Sequence, residues 1–247
     1  MNTRVIARLD AKPPYIAKPV YFEGLRKVGM PEDLALKYSS AGADELCYID
    51  IYSSLCHREI KFDPIMKIAS CILIPFAVGG GIRSIDDMKA LFDSGADKIV
   101  INTYALMETP SIIDKAASLF GSQAVTVQID AKWRNSWWEC YADCGRTPSG
   151  KNVIDWACEV EKRGAGEILL SSVDHDGAKK GFDVSLIKKV NEATSIPIIA
   201  GSGAGSIDHI TKMAVEATPS AVALASVLHD DIVTVGEVKD VLKQVRG

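Results

Sequence analysis

No stretch of this sequence stays apolar for the roughly 18 residues that a bilayer-crossing helix needs, so no membrane-spanning helix is expected. Histidine is scarce, with 4 in the chain. They show no metal-ligand grouping, and neither a metal nor a cofactor is expected. The 6 cysteines (Cys47, Cys56, Cys71, Cys140, Cys144 and Cys158) never fall at C-x-x-C spacing. A chain of this size builds its core without disulfides, so they read as reduced thiols, most of them buried. Neither sign of charge dominates: 28 Lys and Arg face 32 Asp and Glu, a net charge of −4. That balance gives no general electrostatic reason to expect nucleic acid or an anionic membrane as a partner. The H-E-x-x-H, G-x-S-x-G and P-loop patterns are missing, which argues against zinc protease, α/β-hydrolase and nucleoside-triphosphatase chemistry. "GGGIRS" lacks the third glycine of a dinucleotide fingerprint. The opening "MNTRVIARLDAK" has no signal-peptide apolar core, so a cytoplasmic location is the default expectation.

What is present is an ordinary globular composition, 47% apolar and 24% charged, arranged twice. "IPFAVGGGIRS" (74–84) returns as "IPIIAGSGAGS" (196–206), displaced by 122 positions. At the same offset "GADEL" (42–46) matches "GAGEI" (164–168), and "LDAK" (9–12) answers "IDAK" (129–132) at an offset of 120. Strand candidates are 4–10, 45–51, 74–79 and 98–102, then 124–130, 167–173, 196–201 and 221–226. Helical patterns lie between them at 31–41, 84–94, 109–119, 152–163, 184–194, 206–216 and 234–245. Ser84 and Ser206 are plausible caps. Eight near-continuously apolar strands alternating with helices imply a parallel sheet covered on both faces. With the internal duplication, the expected fold is α/β: a (β/α)₈ TIM barrel of two half-barrels, one domain over residues 1–247.

In such a barrel the C-terminal strand ends carry the site. Gly79, Gly80 and Gly81 follow the third strand; Gly201, Gly203 and Gly205 follow the seventh. Each run stands before a helix start, where free N–H groups favour an anion. Asn102 and Thr103 after the fourth strand, and Ala225 and Ser226 after the eighth, adjoin these turns. Two equivalent phosphate cradles would suit a small molecule with a phosphate at each end; a glycine after a barrel strand also serves as a plain turn. Asp10 and Asp130 end the first and fifth strands, opposite one another, where a ligand stretched between the cradles would pass. Two such carboxyls can act as general acid and base if their surroundings separate their pKa values. A strand-end carboxylate equally caps a loop or pairs with a lysine, for which Lys12 and Lys132 are available. Asp50, Asp174 and Asp176 are further polar candidates, and His175 reads as a solvated loop residue.

Arg4, Glu45, Lys98 and Glu167 open strands and so ring the opposite mouth. Such a ring can be a salt-bridged plug that serves stability, or it can gate an axial channel.

"GADEL", "IPFAVGGGIRS", "GADKIVIN", "FGSQAV", "IDAK", "EKRGAGEILLSS", "DHDG" and "GAG" occur together and in order. Over essentially its whole length the chain resembles the cyclase subunits of imidazole glycerol phosphate synthases. The resemblance implies a barrel that takes ammonia from a glutaminase partner docked at its N-terminal face. It implies closure of an imidazole ring on a bis-phosphorylated ribulosyl substrate, with release of an aminoimidazole carboxamide ribotide. Asp10 and Asp130 fall on the family's acid/base pair; Arg4, Glu45, Lys98 and Glu167 fall on its ammonia gate. Lys18, Asp176 and Gly177 match substrate-binding positions beside Gly80, Gly81, Asn102, Thr103, Gly203, Ala225 and Ser226.

The chain also departs from that pattern. "LDAKPPYIAKP" replaces a glycine-containing loop by prolines at 13, 14 and 19, which stiffen it. Arg8 stands where cysteine is usual, beside Asp10, where a cation alters a carboxyl pKa. Cys144 replaces a small hydroxyl residue, Trp133, Trp137 and Trp138 offer to cap a different ligand, and "AGSGAG" exchanges glycine and serine. A paralogue using glutamine-derived ammonia in amidino-sugar biosynthesis for surface polysaccharides shares the retained features. An inert barrel acting as a scaffold is the third reading, which the intact Asp10/Asp130 pair disfavours.

Overall fold

The computed structural model describes residues 3–20, 23–53 and 58–246; Cys56 lies outside them. In chain order the first half holds β1 (Arg4–Lys12), β2 (Tyr15–Val20), β3 (Glu23–Gly29), α1 (Pro31–Ser40), β4 (Glu45–Asp50) and α2 (Phe62–Cys71). It continues with β5 (Phe76–Gly79), α3 (Ile85–Asp93), β6 (Lys98–Ile101), α4 (Thr103–Met107) and α5 (Ser111–Phe120). The second half holds β7 (Val125–Arg134), β8 (Trp137–Ala142), β9 (Thr147–Asn152), α6 (Val153–Lys162), β10 (Glu167–Ser172) and α7 (Val184–Ala193). It ends with β11 (Ile198–Gly201), α8 (Ile207–Glu216), β12 (Ala221–Leu224), α9 (Ser226–His229) and α10 (Val235–Arg246).

Strands β1, β4, β5, β6, β7, β10, β11 and β12 pair in parallel in that order, and β12 pairs back with β1. The ring is closed: this is the (β/α)₈ barrel expected from the alternation. Every residue of β4 is buried, as a strand covered on both faces must be. The two-residue period sorts β1 cleanly. Val5, Ala7, Leu9 and Ala11 join the core between strands and helices, whereas Ile6 joins a second cluster with Cys47, Val100, Leu169 and Ile199. Arg4, Arg8 and Asp10 alternate with the first set, so they share the inner face with Ile6.

Seven of the main helices lie where the periodicity places them. Ser84 Oγ accepts from Asp87 N at 3.0 Å in a full capping box, and Ser206 Oγ accepts from His209 N at 3.3 Å. Each cap stabilises by about 1 kcal/mol. The eighth, α2, carries Pro64 within its first turn, where a missing N–H costs no helical bond. Two antiparallel additions were not legible. β2 and β3 extend β1, and β8 and β9 extend β7. The prolines after β1 therefore belong to a sheet extension, not to an irregular loop, and both halves carry such an extension at the same place. Cys47, Cys71, Cys140, Cys144 and Cys158 are free thiols. No helix among the described residues is long and apolar enough to cross a membrane.

Candidate functional site

Among the described residues, the two glycine turns at the C-terminal ends of the barrel strands each open onto a cavity. The larger, about 180 Å³, is lined by Gly80, Gly81, Asn102, Thr103, Gln128 and Asp130 among others. The smaller, about 30 Å³, is lined by Lys18, Asp176, Gly177, Ser202, Gly203, Ala225 and Ser226. Each predicted cradle thus gathers its own glycine turn and its own strand-end pair. Gly80 has φ +103°, and a Cβ there would stand 2.3 Å from the Asp50 carbonyl oxygen. Gly203 has φ +99°, and its Cβ would stand 2.2 Å from the Gly181 carbonyl oxygen. Only glycine fits either place. Ser202, the positional counterpart of Gly80, is also left-handed at φ 70°, and its hydroxyl donates to Asp176 Oδ1 at 3.3 Å. Thr103 and Ser226 open the short helices α4 and α9. Thr103 Oγ1 already accepts from Asp143 N at 3.0 Å.

Asp10 and Asp130 stand on β1 and β7, diametrically opposed at the same mouth. Both are 1% exposed, yet their neighbours differ in kind. Asp10 accepts from Arg8 Nε at 2.7 Å and from Lys18 Nζ at 3.0 Å; Lys18 also reaches Asp176 Oδ1 at 3.2 Å. Burial alone would raise its pKa, but the charges of Arg8 and Lys18 outweigh burial and hold it far below the usual carboxylate range. Asp130 accepts from Gln128 Nε2 at 2.7 Å and Asn102 Nδ2 at 2.8 Å. There burial wins over those two bonds and over the more distant charge of Arg8, pushing its pKa up to about 6. Asp130 lines the larger cavity, while Asp10 lines neither, lying behind Arg8 and Lys18.

Several expectations need correction. Lys12 and Lys132 do not pair with the two aspartates; they stack over the rings of Tyr52 and Tyr141. Asn102 lines its cradle and also donates from its amide nitrogen to Asp130, while its Oδ1 has no partner among the described residues. Asp50 does line the larger cavity but its carboxylate also accepts from Tyr52 N and Ser53 N, and Asp174 accepts from Trp133 N. His175 is half-buried and bonded to the Gly181 carbonyl at 2.7 Å, not solvated. Trp133, Trp137 and Trp138 line neither cradle, and Trp138 Nε1 is tied to Asp183 instead. Gln128 was missed. Its signal was the two-residue period, which puts a polar side chain on the inner face beside Asp130.

At the opposite mouth the four charges form a closed ring. Arg4 bonds Glu45 at 2.8 Å and also Glu167; Lys98 bonds both carboxylates at 2.9 Å. Burial works against the charge of Lys98, but Glu45 and Glu167 hold its proton above the usual lysine value. Directly above lies a small cavity lined by Glu45, Ile6, Cys47, Val100, Leu169 and Ala223. Val100 also lines the larger cradle and Ala223 the smaller. The ring, the cavity and the two cradles therefore succeed one another along the barrel axis.

Comparison with known proteins adds an independent line. The family model described as "Histidine biosynthesis protein" matches residues 4–234. The chain is 44% identical over 236 residues to the imidazole glycerol phosphate synthase subunit HisF of Pyrococcus furiosus, covering 96% of this chain and 93% of that one. It is 44% identical over 246 residues to the same subunit of Halalkalibacterium halodurans, covering 99% and 97%. To that of Myxococcus xanthus it is 41% identical over 244 residues, covering 99% and 96%.

Proposed function

The chain belongs to the histidine biosynthesis protein family, and from that premise we propose that it is the ammonia-using cyclase of an imidazole glycerol phosphate synthase. The substrate class is a bis-phosphorylated ribulosyl compound, one phosphate in each glycine cradle. Gly80 and Gly81 with Thr103 hold one end. Gly203, Ala225 and Ser226, with Gly177 nearby, hold the other, and Lys18 and Asp176 flank that end. Ammonia adds to the carbonyl lying between, and the ring closes as the carboxamide ribotide leaves.

The observation that carries the chemistry is the contrast at the two aspartates. A carboxyl with a pKa near 6 both holds and releases a proton around neutrality, which suits general acid/base work. Asp130 is assigned that work. Asp10, kept ionised by Arg8 and Lys18, serves as a fixed negative charge on the opposite wall.

The relatives are named as subunits of a synthase. A separate glutaminase subunit is proposed to dock on the face bearing Arg4, Glu45, Lys98 and Glu167, releasing ammonia beneath the ring. The purified protein, given the bis-phosphorylated ribulosyl substrate and ammonium salt at high pH, should turn over without any partner. A folded protein that yields neither the imidazole product nor the carboxamide ribotide would overturn this function.

A further inference from the structure

Arg8 lines both cradles. It leaves the inner face of β1 and reaches Ser171 Oγ on β10, at 3.2 Å, across the bore of the barrel. Its Nε is held by Asp10 at 2.7 Å, and its side chain is 7% exposed. A guanidinium carries five N–H donors. Asp10 and Ser171 take two, and no other hydrogen bond to this side chain occurs among the described residues. Three donors on a rigid, buried cation therefore remain unspent where the two cavities meet. A molecule with one phosphate in each cradle has to pass them. The free edge opens onto both cavities, where a bound ligand is placed to accept from it.

We propose that Arg8 is a ligand-contacting residue that hydrogen-bonds the carbonyl oxygen at which ammonia adds. This rests on the cyclase reading above. In that step the nitrogen lone pair forms a bond to the carbonyl carbon, and the π pair of the C=O moves onto oxygen. The surplus proton leaves the new ammonium nitrogen for a carboxylate of the site and is passed to the oxygen. A second proton from the nitrogen follows it as the nitrogen lone pair forms C=N and the C–O pair departs with water. Negative charge thus grows on the oxygen facing Arg8. Donors fixed in advance in a water-poor site stabilise such charge without reorganising. The planar fork is what suits this place, because the Nε edge stays on Asp10 while the Nη edge serves the ligand. The guanidinium has a clear counterpart: at the repeat offset of 120, Arg8 of "RLD" (8–10) answers Gln128 of "QID" (128–130). One half of the barrel thus supplies a cation where the other supplies an amide.

The test measures ammonium-dependent turnover by wild type, Arg8→Gln and Arg8→Lys on the bis-phosphorylated ribulosyl substrate, with folding checked by circular dichroism. Arg8→Gln is expected to lower kcat by about 10²–10³-fold, the usual loss on removing one such donor. KM should stay within about threefold, since both cradles remain. Arg8→Lys keeps the charge but not the fork, and should lose at least about tenfold in kcat. If Arg8→Gln does not fold, the lysine variant decides. A kcat within about threefold of wild type in the folded variant would overturn the contact while leaving the cyclase function standing. A raised KM at unchanged kcat would overturn it too, by showing only ground-state binding. An inactive, folded wild type would overturn the cyclase function and this step with it.

Discussion

At Asp10 a guanidinium and an ammonium donate at 2.7 and 3.0 Å; at Asp130 two carboxamides donate at 2.7 and 2.8 Å. The two residues occupy equivalent points of a duplicated unit and are equally buried, so neither position nor solvent access distinguishes them. The difference lies in the charge of the donors. Cations at Asp10 more than offset its desolvation, whereas neutral amides at Asp130 do not, and the two carboxyls move in opposite directions from one starting value. A symmetric scaffold thereby acquires one carboxyl able to exchange a proton and one that stays ionised. The change responsible is small. Arg8 replaces the amide found at position 128, and β2 brings Lys18 down onto Asp10.

The comparison breaks most visibly in turnover. Asp130→Asn should lower ammonium-dependent kcat by about 10²–10⁴-fold, the range for a lost acid/base group. In the wild type, kcat/KM against pH, corrected for free ammonia, should show one carboxyl ionisation near pH 6, where Asp130 titrates. Arg8 and Asp176 are the charged groups bearing on it. The inflection should vanish in Asp130→Asn and persist in Asp10→Asn. Persistence in Asp130→Asn would mean that the titrating group was misassigned.

Stability sharpens the same contrast, because the two substitutions should act with opposite sign. Asp130 has a folded pKa of about 6 against 3.8 for the free group, so the folded chain is penalised wherever the unfolded carboxyl is ionised. That penalty builds between about pH 4 and 6 and is complete above it, at about 3 kcal/mol. Asp130→Asn removes it, and Gln128 and Asn102 are amides that can turn to accept as well as donate. Urea unfolding at pH 8 should show this variant more stable than wild type. Asp10 is the reverse case: its depressed pKa contributes stability above the free value of 3.8, lost as pH falls toward the folded one. Asp10→Asn strands Arg8 and Lys18 as buried charges and should cost about 3–5 kcal/mol. Loss of stability in both variants at pH 8 would show that desolvation at Asp130 is already compensated.

Much of this was legible beforehand, for reasons that particular residues make plain. The barrel strands read as near-continuous apolar runs between helical patterns, and the duplicated "IPFAVGGGIRS" marked both cradles before any geometry was known. The extensions β2–β3 and β8–β9 escaped because their pairing is set by contacts with the barrel end, not by period: β8 is buried in five of its six residues and does not alternate. "TPSGKN" of β9 alternates between half-buried and exposed and carries no apolar signal. With the first of them unread, Lys18 had no visible route to Asp10, which sits eight positions earlier in sequence. Asn102 was placed beside a phosphate by its neighbours in the chain. Its bond to Asp130, 28 residues on, depends on β6 and β7 being adjacent in the ring.

The ring at the other mouth shows how far the two halves have diverged, and it carries the smallest expected effect. Both halves supply its acids, Glu45 and Glu167, at the repeat offset of 122. Both cations, Arg4 and Lys98, come from the first half, and Arg4 lies level with Ala221 in the sheet. The ring is thus held shut by one half's bases, each gripping both acids. Lys98→Ala removes two of the four links and leaves Arg4 to bridge Glu45 and Glu167 alone. Ammonium salt reaches the cradles from solution at the upper mouth, so ammonium-dependent turnover should change little. Glutamine-dependent turnover with the glutaminase subunit should fall severalfold relative to glutamine hydrolysed, because ammonia now escapes at a loosened lower mouth. Measuring glutamate and imidazole product side by side gives that ratio. Equal losses with both nitrogen sources would make the ring a plug that stabilises the barrel, and passage of ammonia along the axis would have to be given up.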